Sequence, residues 1–408
     1  MEEVNRNVTI RVDRADLAGA LSMVRRSVPR ASHLHGFRHE GVRLRYAGET
    51  LEVSATGPEL SVDTQIDVQP LSSQRAADVL VGVGLITGLV HQLEPGDVAI
   101  KLAPDGVDIR SGAFSGSIRI LDPDRHAVPR PPVESRFAIS VDGTEFADAL
   151  AHVSLALGSV SVWRGGIQGI TLEVRAGHSL RFVATDREHL AVAYCRDVQA
   201  SGRLVGGGAV RLPIATVILL TELDHRGERV LIEVGDEQVD ITVGRATVRS
   251  GFATGVILDD RPMTGTPATH RLSVTRRTLA TVIRRVGLMA NDPDPRLWFE
   301  LHEQRSLARA ANHELGEASE RFPAEFEGAS CEIGFGLPVL LAMVERLTDG
   351  RVVFEFNDAD KVVSIHSEKR PDFRYFTTLV AVPHRPWTTR ACGQAPRSSR
   401  VAPETETP

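Results

Sequence analysis

The chain has 408 residues, 42% of them hydrophobic and 25% charged, with a formal net charge of −6. That is the make-up of a multidomain globular protein with substantial cores, and it excludes a surface coated in basic patches, although a local basic stripe stays compatible with nucleic acid. No apolar run reaches the roughly 18 residues of a membrane span, M-E-E-V-N-R lacks a secretory core, and Cys195, Cys331 and Cys392 show no metal-ligand spacing; a cytoplasmic chain without cofactor is expected.

In chain order, the first element is V-T-I-R-V-D-R-A-D-L-A-G-A-L, Val8 to Leu21: an alternating strand ending at Val12, an Asp cap, then an amphipathic helix. An apolar helix follows from Gly84 to Leu93, then the turn E-P-G-D and two alternating strands, V-A-I-K-L and V-D-I-R-S. The opening pattern returns as F-A-I-S-V-D-G-T-E-F-A-D-A-L (Phe137 to Leu150) and as H-R-L-S-V-T-R-R-T-L-A-T-V-I (His270 to Ile283). The helix, turn and two strands return after Pro213 and after Pro338. Val12, Val141 and Val274 lie 129 and 133 residues apart. Such a period is too long for a solenoid, whose repeats run roughly 20 to 50 residues. It describes three tandem copies of one α+β domain, each a doubled strand-helix-strands unit. The expected domains are residues 1–131, 135–263 and 268–386. Proline-rich linkers, Asp122 to Pro132 and Asp259 to Pro267, fall at the boundaries, and 387–408 reads as a disordered tail without periodicity.

Other signals carry less. His33, His35 and His39 cluster in S-H-L-H-G without a carboxylate or cysteine to complete a metal site, and read as a polar loop. The glycines of R-L-V-G-G-G-A-V (Arg203 to Val210) lack the lysine and Ser/Thr of a phosphate loop. No arrangement of nucleophile, base or paired carboxylates stands out by spacing, so no catalysis is expected.

Three domains of this length, each internally doubled, resemble the bacterial DNA polymerase III beta subunit, the sliding clamp family. Two local motifs add to the repeat plan: F-V-A-T-D-R-E-H-L-A-V (Phe182 to Val192) is similar to the family's T-D-x-x-R-L-A-V segment, and R-Y-F-T-T-L-V-A-V-P-H-R-P (Arg374 to Pro386) to its closing strand. The resemblance covers roughly residues 6 to 386.

The resemblance implies a six-domain ring built as a head-to-tail homodimer, with helices around a hole that holds double-stranded DNA independently of sequence. The first domain's edge would meet the third domain's end, placing Ile118 against Arg285, Leu288 and Met289; a phenylalanine common at that edge is Gly116 here. Basic residues on or near the helices would meet phosphate: Arg14, Arg25, Arg26, Arg30, Arg276, Arg277, Arg284 and Arg285. The second domain's first helix carries no Lys or Arg, so a loose grip is expected. DNA polymerase and clamp loader would insert a linear peptide motif into a cleft walled by Ile167, Thr185, Leu190, Val380, Val382 and Pro383, with Arg187, His189 and Arg385 at its rim. Departures from the family pattern at His189, Val382, His384 and Pro386 raise two alternatives: a specialised paralogue serving a dedicated partner or resisting a cleft-binding inhibitor, and a scaffold that no longer encircles DNA.

Overall fold

The computed structural model describes residues 7–28, 40–125, 127, 129–157, 169–175, 179–202, 209–253, 267–290, 293–303, 305–312, 314–357 and 361–381. The three opening segments form strands Val8–Asp13, Phe137–Asp142 and His270–Thr275. Each runs antiparallel to the first strand after its repeat's second helix, with Val8 opposite Leu102, Phe137 opposite Val234 and His270 opposite Phe356. On its other side each takes a short strand: Gln69–Pro70, Val198–Gly202 and Glu325–Glu327. The alternation read from the sequence is the alternation of burial. Val8, Ile10 and Val12 are at most 2% exposed, while Arg11 and Asp13 face outward.

Six helices follow the same plan: α1 (Arg14–Arg25) with α2 (Val83–Gln92), α3 (Gly143–Val153) with α4 (Ile214–Thr221), and α5 (Arg276–Gly287) with α6 (Leu337–Arg346). Asp13 caps α1 through the amides of Ala15 (2.7 Å) and Asp16, and Asp142 caps α3 through that of Glu145 (2.9 Å). Thr275 sits at the equivalent position of α5 but makes no side-chain cap bond. Pro213 precedes α4 as its N-cap, whereas Pro338 lies within the first turn of α6. Each helix buries one stripe, as Leu17, Leu21 and Val24 do on α1 and Leu279, Val282, Ile283 and Val286 on α5.

The chain divides into two compact units. One is Met1–Asp186 with Ala191–Leu258 and holds the first two repeats; the other is Arg187–Leu190 with Asp259–Pro408 and holds the third. Within the first unit the two repeats share a sheet: strand Ala246–Gly251 pairs with strand Leu60–Asp67, Ala246 opposite Thr64, making nine strands continuous. Arg249 locks this seam. It is ion-paired with Asp63 and lies 3.1 Å from Asp240, and burial pushes both carboxyls above their ordinary range. The linker is laid onto the seam too, Val133 donating to Asp240 at 3.2 Å and Arg130 to the carbonyl of Pro58. In the second unit a four-stranded sheet runs Gly316–Phe322, Arg305–Asn312, Arg296–His302, Cys331–Gly336. Among the described residues, no helix is long and apolar enough to cross a membrane.

Candidate nucleic-acid and partner interfaces

The helix arginines sort into three groups. Arg14, the first residue of α1, donates to the carbonyls of Val90 (3.1 Å) and His91 (2.6 Å) and so ties down the end of α2. Arg276, the first residue of α5, does the same for α6, reaching the Glu345 carbonyl at 3.2 Å and Asp349 at 2.8 Å. Cations belong at a helix C-terminus, where unpaired carbonyls carry partial negative charge. The second repeat reaches this end differently. Gly143 opens α3, where a Cβ would collide with the carbonyl oxygens of His225 and Glu228. The buried His225 ring instead meets the Leu220 carbonyl at 2.6 Å, packs on Phe146, and is held below the ordinary histidine pKa by burial.

A second group is bound to carboxylates. Arg284 grips Glu345 through two nitrogens, at 2.6 and 3.1 Å. Arg285 donates to Glu320 at 2.9 Å, and Arg26 is ion-paired with Glu222 at the end of α4. A third group is exposed and has no ion-pair partner among the described residues: Arg25 and Arg277. Arg30 lies outside the described residues, as do Ile167, Val382, Pro383 and Arg385 of the expected cleft and the histidines at 33, 35 and 39.

Of the cleft residues, Thr185 is buried at the end of its strand in the first unit. In the second unit, His189 Nδ1 and Thr377 Oγ1 are 2.9 Å apart, the Thr378 amide donates to the Glu188 carbonyl (3.3 Å), and Leu190 is fully buried. Leu190 is therefore a core side chain and not the open wall the sequence led one to expect. Arg187 adopts φ +79, the left-handed region, and is the single described non-glycine residue to do so. Val380 is half-buried and bonded to Gly334 (3.0 Å), where a Cβ would sit 2.8 Å from the Val380 oxygen and 3.0 Å from Trp298 Cδ1. Trp298 is buried, and among the described residues its indole N–H has no partner.

At the edges, one expectation needs correcting. Ile118 is only 4% exposed, because it points into the core from the outer strand Phe114–Arg119; it presents no apolar surface to a second copy. The exposed apolar residue of this edge is Phe114, whose ring lies over Gly116, 2.8 Å from where a Cβ would be. Phe114 and Gly116 share a face by strand alternation, so the aromatic missing at 116 was legible two positions earlier. At the other edge Leu288 stands 76% exposed just past α5, with Met289 half-buried beside it.

Helix pairs packed on antiparallel sheets, repeated three times with the same strand order, define a DNA clamp architecture. The family described as DNA polymerase III beta subunit, C-terminal domain, matches residues 266–380. The beta sliding clamp of Caulobacter vibrioides is 24% identical over 384 residues, covering 89% of this chain and 97% of its own length. That of Pseudomonas aeruginosa is 25% identical over 341 residues, covering 80% of this chain and 88% of its own. Among solved structures, the Pseudomonas aeruginosa sliding clamp bound to griselimycin matches with TM-score 0.82 at 20% identity, and the Thermotoga maritima beta subunit with 0.81 at 17%; each match covers 92% of this chain and 100% of the other. Over most of its length the chain is thus similar to beta sliding clamps, and residues 266–380 match the C-terminal domain of the DNA polymerase III beta subunit.

Proposed function

We infer that this protein is a DNA sliding clamp. Two copies join head to tail around duplex DNA, which they hold without reading its sequence, and they tether a DNA polymerase or clamp loader carrying a linear peptide motif. It performs no chemistry of its own; it raises a partner's effective concentration at the DNA by making rebinding intramolecular. That duty is cytoplasmic. The observation that carries the reading is the threefold plan of sheet and helix pair, matched along nearly all of the chain by beta sliding clamps. We assign the three domains to 1–131, 135–263 and 268–386. Within the second unit, Arg187, His189 and Val380 are assigned to binding of the peptide.

Phe114 and Leu288 supply apolar surface to the head-to-tail contact, which closes a ring only because the same heterologous interface occurs twice. The specialised-paralogue and scaffold readings draw no support from the structure: of the four departures that motivated them, residues 382, 384 and 386 lie outside the described residues, and His189 is paired with Thr377. The test pairs sedimentation with retention on nicked circular against linear duplex. A dimer retained on circles alone is expected, and Leu288→Lys with Met289→Lys should convert it to monomer, because charges buried without partners cost several kcal/mol. A wild-type monomer at micromolar concentration would sink the reading.

A further inference from the structure

The arginines expected to meet DNA are mostly not free to do so. Arg284 is held by Glu345, Arg285 by Glu320 and Arg26 by Glu222, each through a charge-assisted contact of the kind a phosphate oxygen would make. Arg277 stands two helical turns before Arg284 on the same face of α5, roughly 10 Å away, without such a carboxylate among the described residues. Arg25 is likewise exposed one residue before the paired Arg26. The paired side chains are not buried: Arg284 and Glu345 are 59% and 40% exposed, Arg285 and Glu320 66% and 30%. Ion pairs this exposed are weak and exchangeable. Arg276 differs, because its bond to the α6 carbonyl makes it part of the helix packing.

We propose that Glu345, Glu320 and Glu222 are built-in competitors for DNA phosphate. Arg25 and Arg277 meet the duplex directly, whereas Arg26, Arg284 and Arg285 do so only by leaving their carboxylates. The proposal rests on the clamp reading and specifies how strongly that clamp grips. When phosphate displaces Glu345 from Arg284, the cation released from DNA is balanced by a cation taken up at the freed carboxylate. The contact therefore adds little to affinity or to salt dependence. A ring whose arginines are screened in this way holds its duplex loosely and slides.

The experiment measures binding of the full-length protein to a fluorescent nicked circular duplex across a salt series, for wild type, Glu345→Gln, Arg284→Ala and the double variant. Glu345→Gln is expected to tighten binding up to about fivefold at low salt and to steepen the slope of log affinity against log salt by about 0.9. Both gains should vanish in the Arg284→Ala background, as a pairwise coupling requires. An unchanged Glu345→Gln overturns the proposal. So does a gain that survives in the Arg284→Ala background, since it then reflects bulk charge. The clamp reading fails separately: in that case the wild type shows no salt-dependent binding, and Arg25→Ala with Arg277→Ala changes nothing.

Discussion

The first and second repeats fasten their helix pairs in opposite ways. In the first, a guanidinium at the start of α1 reaches across to the carbonyls ending α2. In the second, α3 opens on a glycine and approaches so closely that the turn after α4 fills the space, with a buried imidazole on the Leu220 carbonyl. The third repeat follows the first, through Arg276. One geometric requirement, satisfying the orphan carbonyls of a helix end, thus has a charged, half-buried solution and a neutral, fully buried one. The second repeat pays with close packing and with sensitivity to acid, and α3 carries no Lys or Arg.

The largest effect expected from this difference is at Gly143. Its Cβ would strike backbone rather than a flexible side chain, so Gly143→Ala should destabilise the first unit by about 3 kcal/mol, seen as a lowered urea midpoint. The corresponding position in the first repeat is an arginine with room for its side chain, so Arg14→Ala should lose only its exposed carbonyl bonds, about 1 kcal/mol. Equal losses at the two positions would mean that the two solutions are not different in kind.

Acid should separate them next. Burial holds His225 below its ordinary value, so the folded state favours the neutral ring. Its contribution is complete above about pH 6.5, the ordinary histidine value, and is lost as pH falls toward the folded value, at no more than about 1.4 kcal/mol per unit. His366 in the third repeat, lowered to about 4 first by burial and then by Arg374, acts in the same direction. A guanidinium keeps its charge throughout this range. Urea midpoints at pH 7.5 and 6.0 should therefore fall more for the wild type than for His225→Gln; equal falls would remove His225 from the account.

The smallest effect concerns Arg187, in the second unit. A non-glycine residue in the left-handed region carries strain of about 1 kcal/mol, so Arg187→Gly should raise the melting temperature slightly while weakening capture of a clamp-binding peptide. Unchanged peptide affinity in a fluorescence titration would make Arg187 a bystander of the rim.

The threefold plan was legible because it lives in local periodicity. Alternation at Val8, Ile10 and Val12, helical spacing in α1 and α5, and Asp13 and Asp142 as caps are each written within a few neighbouring residues. Even Phe114 was in view, two residues from the glycine it covers. The fate of each arginine was not legible, because it depends on partners far along the chain. Arg14 is 76 residues from Val90, Arg284 is 61 from Glu345, and Arg249 is 186 from Asp63. Periodicity places an arginine on the outer face of a helix but is silent on which carboxylate or carbonyl the fold brings to it. The burial of Ile118 and Leu190 and the joining of two repeats through one sheet belong to the same class. Sequence pattern selects the elements and their faces, since these follow from near-neighbour sterics and burial; tertiary packing selects the partners, since Coulomb and hydrogen-bond terms act only once distant segments are within a few ångströms.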